Sequence, residues 1–409
     1  MKIFNKIIKG TLLTVTSCLF FLACNKAPLP AVPLTQPAAS TAPTLAKLLD
    51  DPQFSILKAA VTKAGLLPTL SVPTLKFTVF APDDNAFIAS GIPSVAAVNT
   101  FPAATLNSII SYHVIPQVIA AASIPVTFPN FEYPTILNPT GISTTPGYNP
   151  LVRLTTYPSR RANGAWVNNI PITATDIQAS NGVLHKVAAL VAPPSAYLWD
   201  IINASPDLTF FKAAIQRADS GVAVAGRLQT ALSSFGTNLT VLAPTDAAVQ
   251  QFAVYTITTA LVPVITQQLI SLGYTPAQAA VQAPITAQQQ ALALAASPTV
   301  FSNPLLYGPL PAQTVRGLIV YHFLGTTIPG IRIFTVNLST APTQIKTLLN
   351  QAVPPHPGVT VQATFTGPFV TAATAKGLAN PTAANFILPA DINAVNGVMH
   401  KIDQVLVPQ

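Results

Sequence analysis

Apolar and polar positions alternate along this chain in short bursts, and four of the bursts occur twice. "DPQFSILKAAV" (51–61) returns as "SPDLTFFKAAI" (205–215), and "TVFAPDDNAF" (78–87) as "TVLAPTDAAV" (240–249). "IISYHVIP" (109–116) returns as "LIVYHFLG" (318–325), and "DIQASNGVLHKVAALVAP" (176–193) as "DINAVNGVMHKIDQVLVP" (391–408). Four matches in one order identify two copies of one unit. The first pair keeps helical spacing of its apolar residues. In the second, Thr78–Ala81 and Thr240–Ala243 are β-branched and apolar runs stopped by Pro82 and Pro244, after which Asp83 or Thr245 supplies an oxygen to cap the next helix. In the third, Leu106, Ile109, Ile110 and His113 fall at i, i+3, i+4 and i+7, as do Val315, Leu318, Ile319 and His322, which predicts one helix face ending in Tyr-His. In the fourth, Asn181-Gly182 and Asn396-Gly397 predict hairpin turns into a closing strand, with a His three residues past each Gly.

The strand–Pro–cap–helix block, the Tyr-His block and the terminal "NGV-x-H-K-V/I" block, in order and duplicated, resemble the fasciclin domain. The correspondence covers nearly the whole chain from about residue 43 to 409. The resemblance implies an α+β fold of two tandem fasciclin-like domains, 43–194 and 195–409, each a β-sandwich-like wedge with packed helices. It also implies adhesion or matrix interaction at an extracellular or anchored surface, with no cofactor and no catalysis. In some animal relatives the Tyr-His region is linked to receptor binding, which makes Tyr112, His113, Tyr321 and His322 candidates by resemblance alone. Their helix pattern turns each His inward, so the plainer reading is a satisfied core histidine, and any recognition role would be indirect.

The N-terminus reads as an export signal. Lys2, Lys6 and Lys9 form a positive n-region before an apolar h-region, Thr11–Ala23, too short to span a membrane. The run ends in "FLAC", which resembles a bacterial lipobox and marks Cys24 for lipidation after removal of residues 1–23. Phe21 and Leu22 depart from that pattern, so ordinary signal cleavage and an uncleaved anchor stay open. Cys18 lies inside the h-region. Residues 24–42 are rich in Pro and form an extended tether that could hold the folded part up to roughly 55 Å from the lipid. The chain is then expected at the cell envelope, anchored to the outer membrane, periplasmic or surface-exposed.

Composition narrows the chemistry. Half of the 409 residues are hydrophobic and only 8% are charged, which supplies a large core and removes wholesale disorder. Removing residues 1–23 takes three Lys and lowers the net charge from +8 to +5, and no basic cluster exceeds Arg160-Arg161, so nucleic acid is not an expected partner. Two Cys exclude a disulfide framework and a cysteine-rich zinc module. Glu132 is the single Glu beside eleven Asp, leaving few carboxylate pairs for acid/base work. No Gly-x-Ser-x-Gly elbow, His-Glu-x-x-His helix or phosphate-binding Gly loop is present, so no catalytic or metal residue is expected.

The copies differ in two places. Copy two carries 47 extra residues between its second and third blocks, and Ala247–Val315 contains no Lys, Arg, Asp, Glu or His. Pro263, Gly273, Pro276 and the Gln runs break this stretch, which predicts two or three short helices around 250–310, with Gly273 ending the first. They form an extra packed layer, or else a partner-binding or membrane-facing surface. Copy one has a loop with Phe128, Phe131, Tyr133, Tyr148, Tyr157 and Trp166 mixed with Arg153, Arg160 and Arg161. Leu154–Thr156 and Trp166–Val167 read as strand, which favours core packing of the aromatics. Trp166, Arg160 and Arg161 are also what sugar rings and peptide carboxylates favour. The function expected is a lipid-anchored, non-enzymatic adhesion or binding protein recognising protein or glycan at the cell surface. The alternative is a structural envelope protein engaged in self-association or cell-wall contact, and the sequence is silent on oligomeric state.

Overall fold

The computed structural model describes residues 41–126, 131–139, 152–327 and 331–409. The expected signal segment and nearly all of the tether, Cys24 included, lie outside the described residues, as do Phe128 and Tyr148. Residues 42–409 form one compact unit.

Copy one contains strands β1 (Phe77–Pro82), β2 (Val114–Ile115), β3 (Tyr133–Pro134), β4 (Thr155–Thr156), β5 (Pro158–Arg161), β6 (Gly164–Val167), β7 (Ile170–Ala179) and β8 (Gly182–Val187). Its helices include α1 (Ser55–Lys63), α2 (Asp84–Ala89) and α3 (Ala103–Tyr112). One six-stranded sheet runs β2-β1-β8-β7-β6-β5, and β3 and β4 pair separately. Its centre is parallel, with Phe77 opposite Gly182 and Pro82 opposite Val187, whereas β7 returns antiparallel to β8 through the Asn181-Gly182 turn. Every residue of β1 is buried, as a central strand covered on both faces requires.

Copy two repeats this core with β9 (Leu239–Pro244), β10 (Phe323–Leu324), β15 (Ile392–Ala394) and β16 (Gly397–Ile402) in the order β10-β9-β16-β15. A second sheet follows β11 (Thr343–Ile345), β12 (Val359–Thr366), β13 (Phe369–Lys376) and β14 (Ala384–Asn385) in chain order. Its helices include α4 (Thr209–Ala218), α5 (Asp246–Ser271), α6 (Pro276–Leu294) and α7 (Ala312–Tyr321). The two glycines of the Asn-Gly turns are required by close approach: a Cβ on Gly182 or Gly397 would collide with the carbonyl oxygen of Phe77 or Leu239.

Apolar spacing explains which helix faces turn inward. α1 buries Ile56, Leu57, Ala60 and Val61, and α4 buries Phe210, Phe211, Ala214 and Ile215 at the same intervals. Asp83 caps α2 by accepting the Ala86 N–H at 2.9 Å. Thr245 stands at the same place before α5, but its side chain makes no cap bond. The start of α5 is held instead by Asp246, whose N–H donates to the Asp207 carbonyl and whose carboxylate accepts the Phe210 N–H and the Thr209 hydroxyl. Asp84 does the same in copy one for the Ile56 N–H and the Ser55 hydroxyl. The residue after the cap thus ties each post-strand helix to the first long helix of its copy.

The charge-free insertion is not a set of short helices. Gly273, at φ +95°, does close the first one, but α5 runs 26 residues and α6 runs 19, an antiparallel hairpin joined by a short turn. α5 is the counterpart of six-residue α2, continued without a break through Pro263. Ala279, Ala283, Ala287, Ala291 and Ala295 are fully buried at every fourth position, and these small side chains let α6 lie close against α5. Ala253, Ile257, Ala291, Ala295, Val300 and Phe301 join the main core of copy two, whereas Ile265, Ala283 and Ala287 form a separate cluster toward the tip. By length and composition α5 could cross a membrane, yet its inner side at the base belongs to that core.

Candidate functional site

Three places in the folded chain gather the residues singled out from sequence. The first is the pair of Tyr-His helix ends. His113 follows the last turn of α3, fully buried; its Nδ1 lies 2.8 Å from the Ile109 carbonyl and its Nε2 accepts the Val191 N–H at 2.9 Å. His322 follows α7 with the same partners by position, the Leu318 carbonyl at 2.8 Å and the Leu406 N–H at 2.9 Å. An acceptor at Nε2 and a carbonyl at Nδ1 fix the neutral tautomer protonated at Nδ1. Burial pushes both imidazoles down to about 4, against a smaller upward pull from the helix carbonyl.

His185 and His400, on the closing strands, are held in the opposite sense. Nδ1 accepts the N–H of Asp176 or Asp391, and Nε2 donates to the Ile119 or Ile333 carbonyl. Both are pushed down chiefly by burial. Asp176 and Asp391 sit at positive φ, 59° and 66°, a conformation that Asp tolerates better than most residues and that aims the N–H at the ring. Tyr112 and Tyr321 are also buried, with hydroxyls donating to the Thr155 and Gly358 carbonyls, and burial raises both phenols. Tyr112, His113, Tyr321 and His322 therefore present no side-chain area to a partner and lock strands to helices from within. Among the described residues no group of three or more His, Cys, Asp or Glu gathers for a metal.

Sequence reasoning read Asn181 and Asn396 only as turn residues, and the structure gives them more to do. Each side-chain oxygen accepts a helix-entry N–H, Leu45 or Leu198, and each amide nitrogen donates to carbonyls of a preceding helix, Leu70 and Val72 or Ala231 and Leu232. Thr78 and Thr240 likewise bind the loop after β2 or β10 through an accepted N–H, from Ile119 or Ile333. Their identity at equivalent places in both repeats was the available signal.

The second place is the junction of the two copies. Trp166 is fully buried, and its Nε1 donates to the Pro368 carbonyl at 2.9 Å. It shares a cluster with Tyr157, Phe334, Val336 and Val398, so the copy-one aromatics form a core between the copies. Trp166 is thereby removed from any surface role in ligand contact. Arg332, also buried, lies over the Tyr157 ring and donates to Asn238, Asn393 and the Val395 carbonyl. Nothing in the repeat pattern marked Arg332, because the equivalent residue of copy one, just before Ile119, is Val118. Arg161 donates to the Leu338 carbonyl at 2.8 Å, and burial depresses its guanidinium. Arg160 and Arg161 stay half-buried at the rim of an open cleft of about 610 Å³ between the copies.

The third place is the outer side of the α5–α6 hairpin. Tyr255, Leu272 and Val281 are 71%, 75% and 69% exposed, with Ile285 and Leu292 beside Val281 on the outer face of α6. Gln278, Gln282 and Gln289 flank that stripe, also exposed.

Residues 52–193 match the fasciclin domain family. Among curated proteins the chain is similar to the transforming growth factor-beta-induced protein ig-h3 of Sus scrofa, 29% identical over 154 residues, which is 36% of this chain and 19% of the pig protein. It is also similar to protein sll1483 of Synechocystis sp., 29% identical over 164 residues, 39% of this chain and 79% of that protein. The matched part thus spans about a fifth of the length of the pig relative. Among solved structures, the FAS1 domain pair of the insect cell adhesion molecule fasciclin I is similar over 88% of this chain and 95% of that one, at 12% identity and a TM-score of 0.32.

Proposed function

We propose that this chain, which belongs to the fasciclin domain family, is a non-catalytic adhesion or binding protein of the cell envelope. It works as two fused copies anchored to the membrane by a lipid on Cys24 and held off its surface by the Pro-rich tether. The observation that carries the reading is where the repeated polar residues go. In both copies the histidines, the Asn of the Asn-Gly turn and the strand Thr are occupied within the fold. What the two copies share is scaffold, and what faces outward differs between them, as expected of a presenting body whose partners meet loops and inserted elements. Family membership supports the coarse reading; lipid anchoring, outer-membrane placement and recognition of protein or glycan are the finer parts of the proposal.

The test pairs arrays of matrix proteins and glycans with an adhesion assay on cells lacking the protein. Expected are retention of the purified chain by an array component and restored adhesion by the wild type but not by Cys24→Ser. Adhesion restored equally by an unlipidated protein would sink the anchor.

One observation favours self-association as a second reading. The hairpin stripe of Val281, Ile285 and Leu292 bears no charge and is flanked by Gln, whose amide both donates and accepts. Such a surface can meet its own copy across a two-fold axis without like-charge repulsion. Sedimentation of the wild type against a variant with Gln at all three positions decides it: a concentration-dependent dimer that the variant loses supports the second reading, and a monomeric wild type refutes it.

A further inference from the structure

The cleft between the copies has walls fixed from both sides. Copy one contributes the β5–β6 turn, with Arg160, Arg161 and Asn163; copy two contributes Ser339, Thr340 and Phe365. Three bonds across the junction hold the walls in place: Arg161 to the Leu338 carbonyl, Asn163 to the Gly367 carbonyl and Trp166 to the Pro368 carbonyl. A second depression of about 350 Å³ shares Arg161 and Ser339 with the first and continues to Lys346. Together they form a pre-built trough of a size that takes small ligands or a stretch of a linear one.

Its charge is unbalanced. Among the described residues Arg160, Arg161 and Lys346 make no ion pair. Their partners are neutral carbonyls: Ala122 for Arg160 at 3.4 Å, Leu338 for Arg161, and His356 for Lys346 at 2.8 Å. The Arg160 Nε is buried with no hydrogen-bond partner among the described residues. No Asp or Glu lines either depression. Two guanidinium forks and an ammonium with donors to spare are a receptor for carboxylates.

The rest of the lining separates a saccharide from a peptide. An acidic peptide would bind best as an added strand on edge strand β5, but the Arg160 N–H there already donates to the Pro125 carbonyl. The lining offers hydroxyls and amides, Ser339, Thr340, Asn163 and Gln344, beside one ring, Phe365. Hydroxyl and amide groups suit a sugar's hydroxyls, and an aromatic face suits its C–H side.

We propose that the junction cleft binds a carboxylate-bearing saccharide chain, its uronate groups meeting Arg160, Arg161 and Lys346. The site deepens the reading of the pair as a binding module and rests on it. The two fail separately: adhesion that persists without saccharide binding overturns the cleft and leaves the module.

The experiment is calorimetric titration of the purified full-length protein with a short oligogalacturonate, the same oligomer fully methyl-esterified, inorganic phosphate and a short oligoglutamate. Expected is binding of the acid form alone, weakening steeply with salt, and loss of at least about tenfold in affinity for Arg160→Gln and again for Lys346→Gln, both with unchanged melting. Arg161→Gln should lose more but also removes a bond between the copies, so the other two variants decide if it unfolds. Equal binding of acid and ester, wild-type affinity in Arg160→Gln and Lys346→Gln, or equally tight binding of phosphate or oligoglutamate would each overturn the proposal, the last by reducing the cleft to a general anion patch.

Discussion

Acid should destabilise this protein progressively as pH falls from 6.5 toward about 4, and the buried histidines set both the sign and the size. His113 and His322 are held neutral in the fold at about 4, against an ordinary 6.5 in the unfolded chain. As pH falls through 6.5 the unfolded state takes up protons that the folded state refuses, so stability is complete above that value and declines until about 4, where the folded histidines protonate as well. A gap of that width is worth roughly 3 kcal/mol per histidine, or about 6–7 for the two. His185 and His400 are displaced in the same direction and add to the loss. Against a typical net stability of about 5–15 kcal/mol, this is enough to threaten the fold. The carboxylates held low by their partners, Asp50, Asp51 and Asp83, lose their contribution only below about 4 and leave the histidine window clear.

The assay is urea unfolding between about pH 7 and pH 4.5, followed by fluorescence with the buried Trp166 as reporter. A His322→Asn variant lacks the titrating ring; it should be less stable at neutral pH, by about 1–3 kcal/mol for the Leu406 N–H that loses its partner. Its stability should then fall with acid by roughly 3 kcal/mol less than the wild type. A wild type equally stable at both ends of the range, or a variant with the same acid slope, would refute the neutral, sealed histidine.

Four further outcomes follow, three from the packing and one from the sequence around Cys24. Trp166→Ala empties the junction core and should cost about 3–5 kcal/mol and split unfolding into two transitions in calorimetry; a single unchanged transition would show that the copies are not coupled through it. Replacing 263–288 by a short Gly/Ser loop removes only the hairpin tip and should leave the fold intact by circular dichroism and melting. Replacing 250–310 also strips Ala253, Ile257, Val300 and Phe301 from the core and should unfold copy two, and a native-like melt of that larger deletion would contradict the packing. Cys24→Ser should abolish labelling by radioactive fatty acid, and label retained on Ser, or a mature N-terminus mapped elsewhere, would end the anchor proposal.

Local signals carried most of the fold. The Pro-stopped strands, the Asn-Gly turns and the Tyr-His helices stand where periodicity and turn chemistry put them, because each is decided by neighbours within a few residues. The insertion was read wrongly for a physical reason. Pro263 and the Gln runs read as breaks, whereas the alanine at every fourth position of α6, visible in the sequence, supplies a continuous contact along α5 that outweighs the internal Pro263 and Pro284. The site was less legible. The duplicated His residues announced themselves and are internal, as the inward-facing pattern of the Tyr-His helices implies, while the cleft is made by Arg160 and Arg161 meeting Ser339 and Lys346 from the other copy. No spacing rule links residues that far apart; only docking of the copies creates the pocket.

The parallel pairing at the heart of each copy has a consequence for the order of assembly. β1 waits for β8 about 105 residues downstream and β9 waits for β16 about 160 residues downstream, so neither central strand can be covered until its copy is nearly complete. Between β9 and β16 the α5–α6 hairpin closes on contacts only tens of residues apart and can form at once. As the chain emerges from a ribosome or a translocation channel, copy two would thus display a finished hairpin on an unfinished sheet. Its aggregation-prone interval lasts until β16 arrives, and the pairing of Gly397–Ile402 with β9 is the step that ends it.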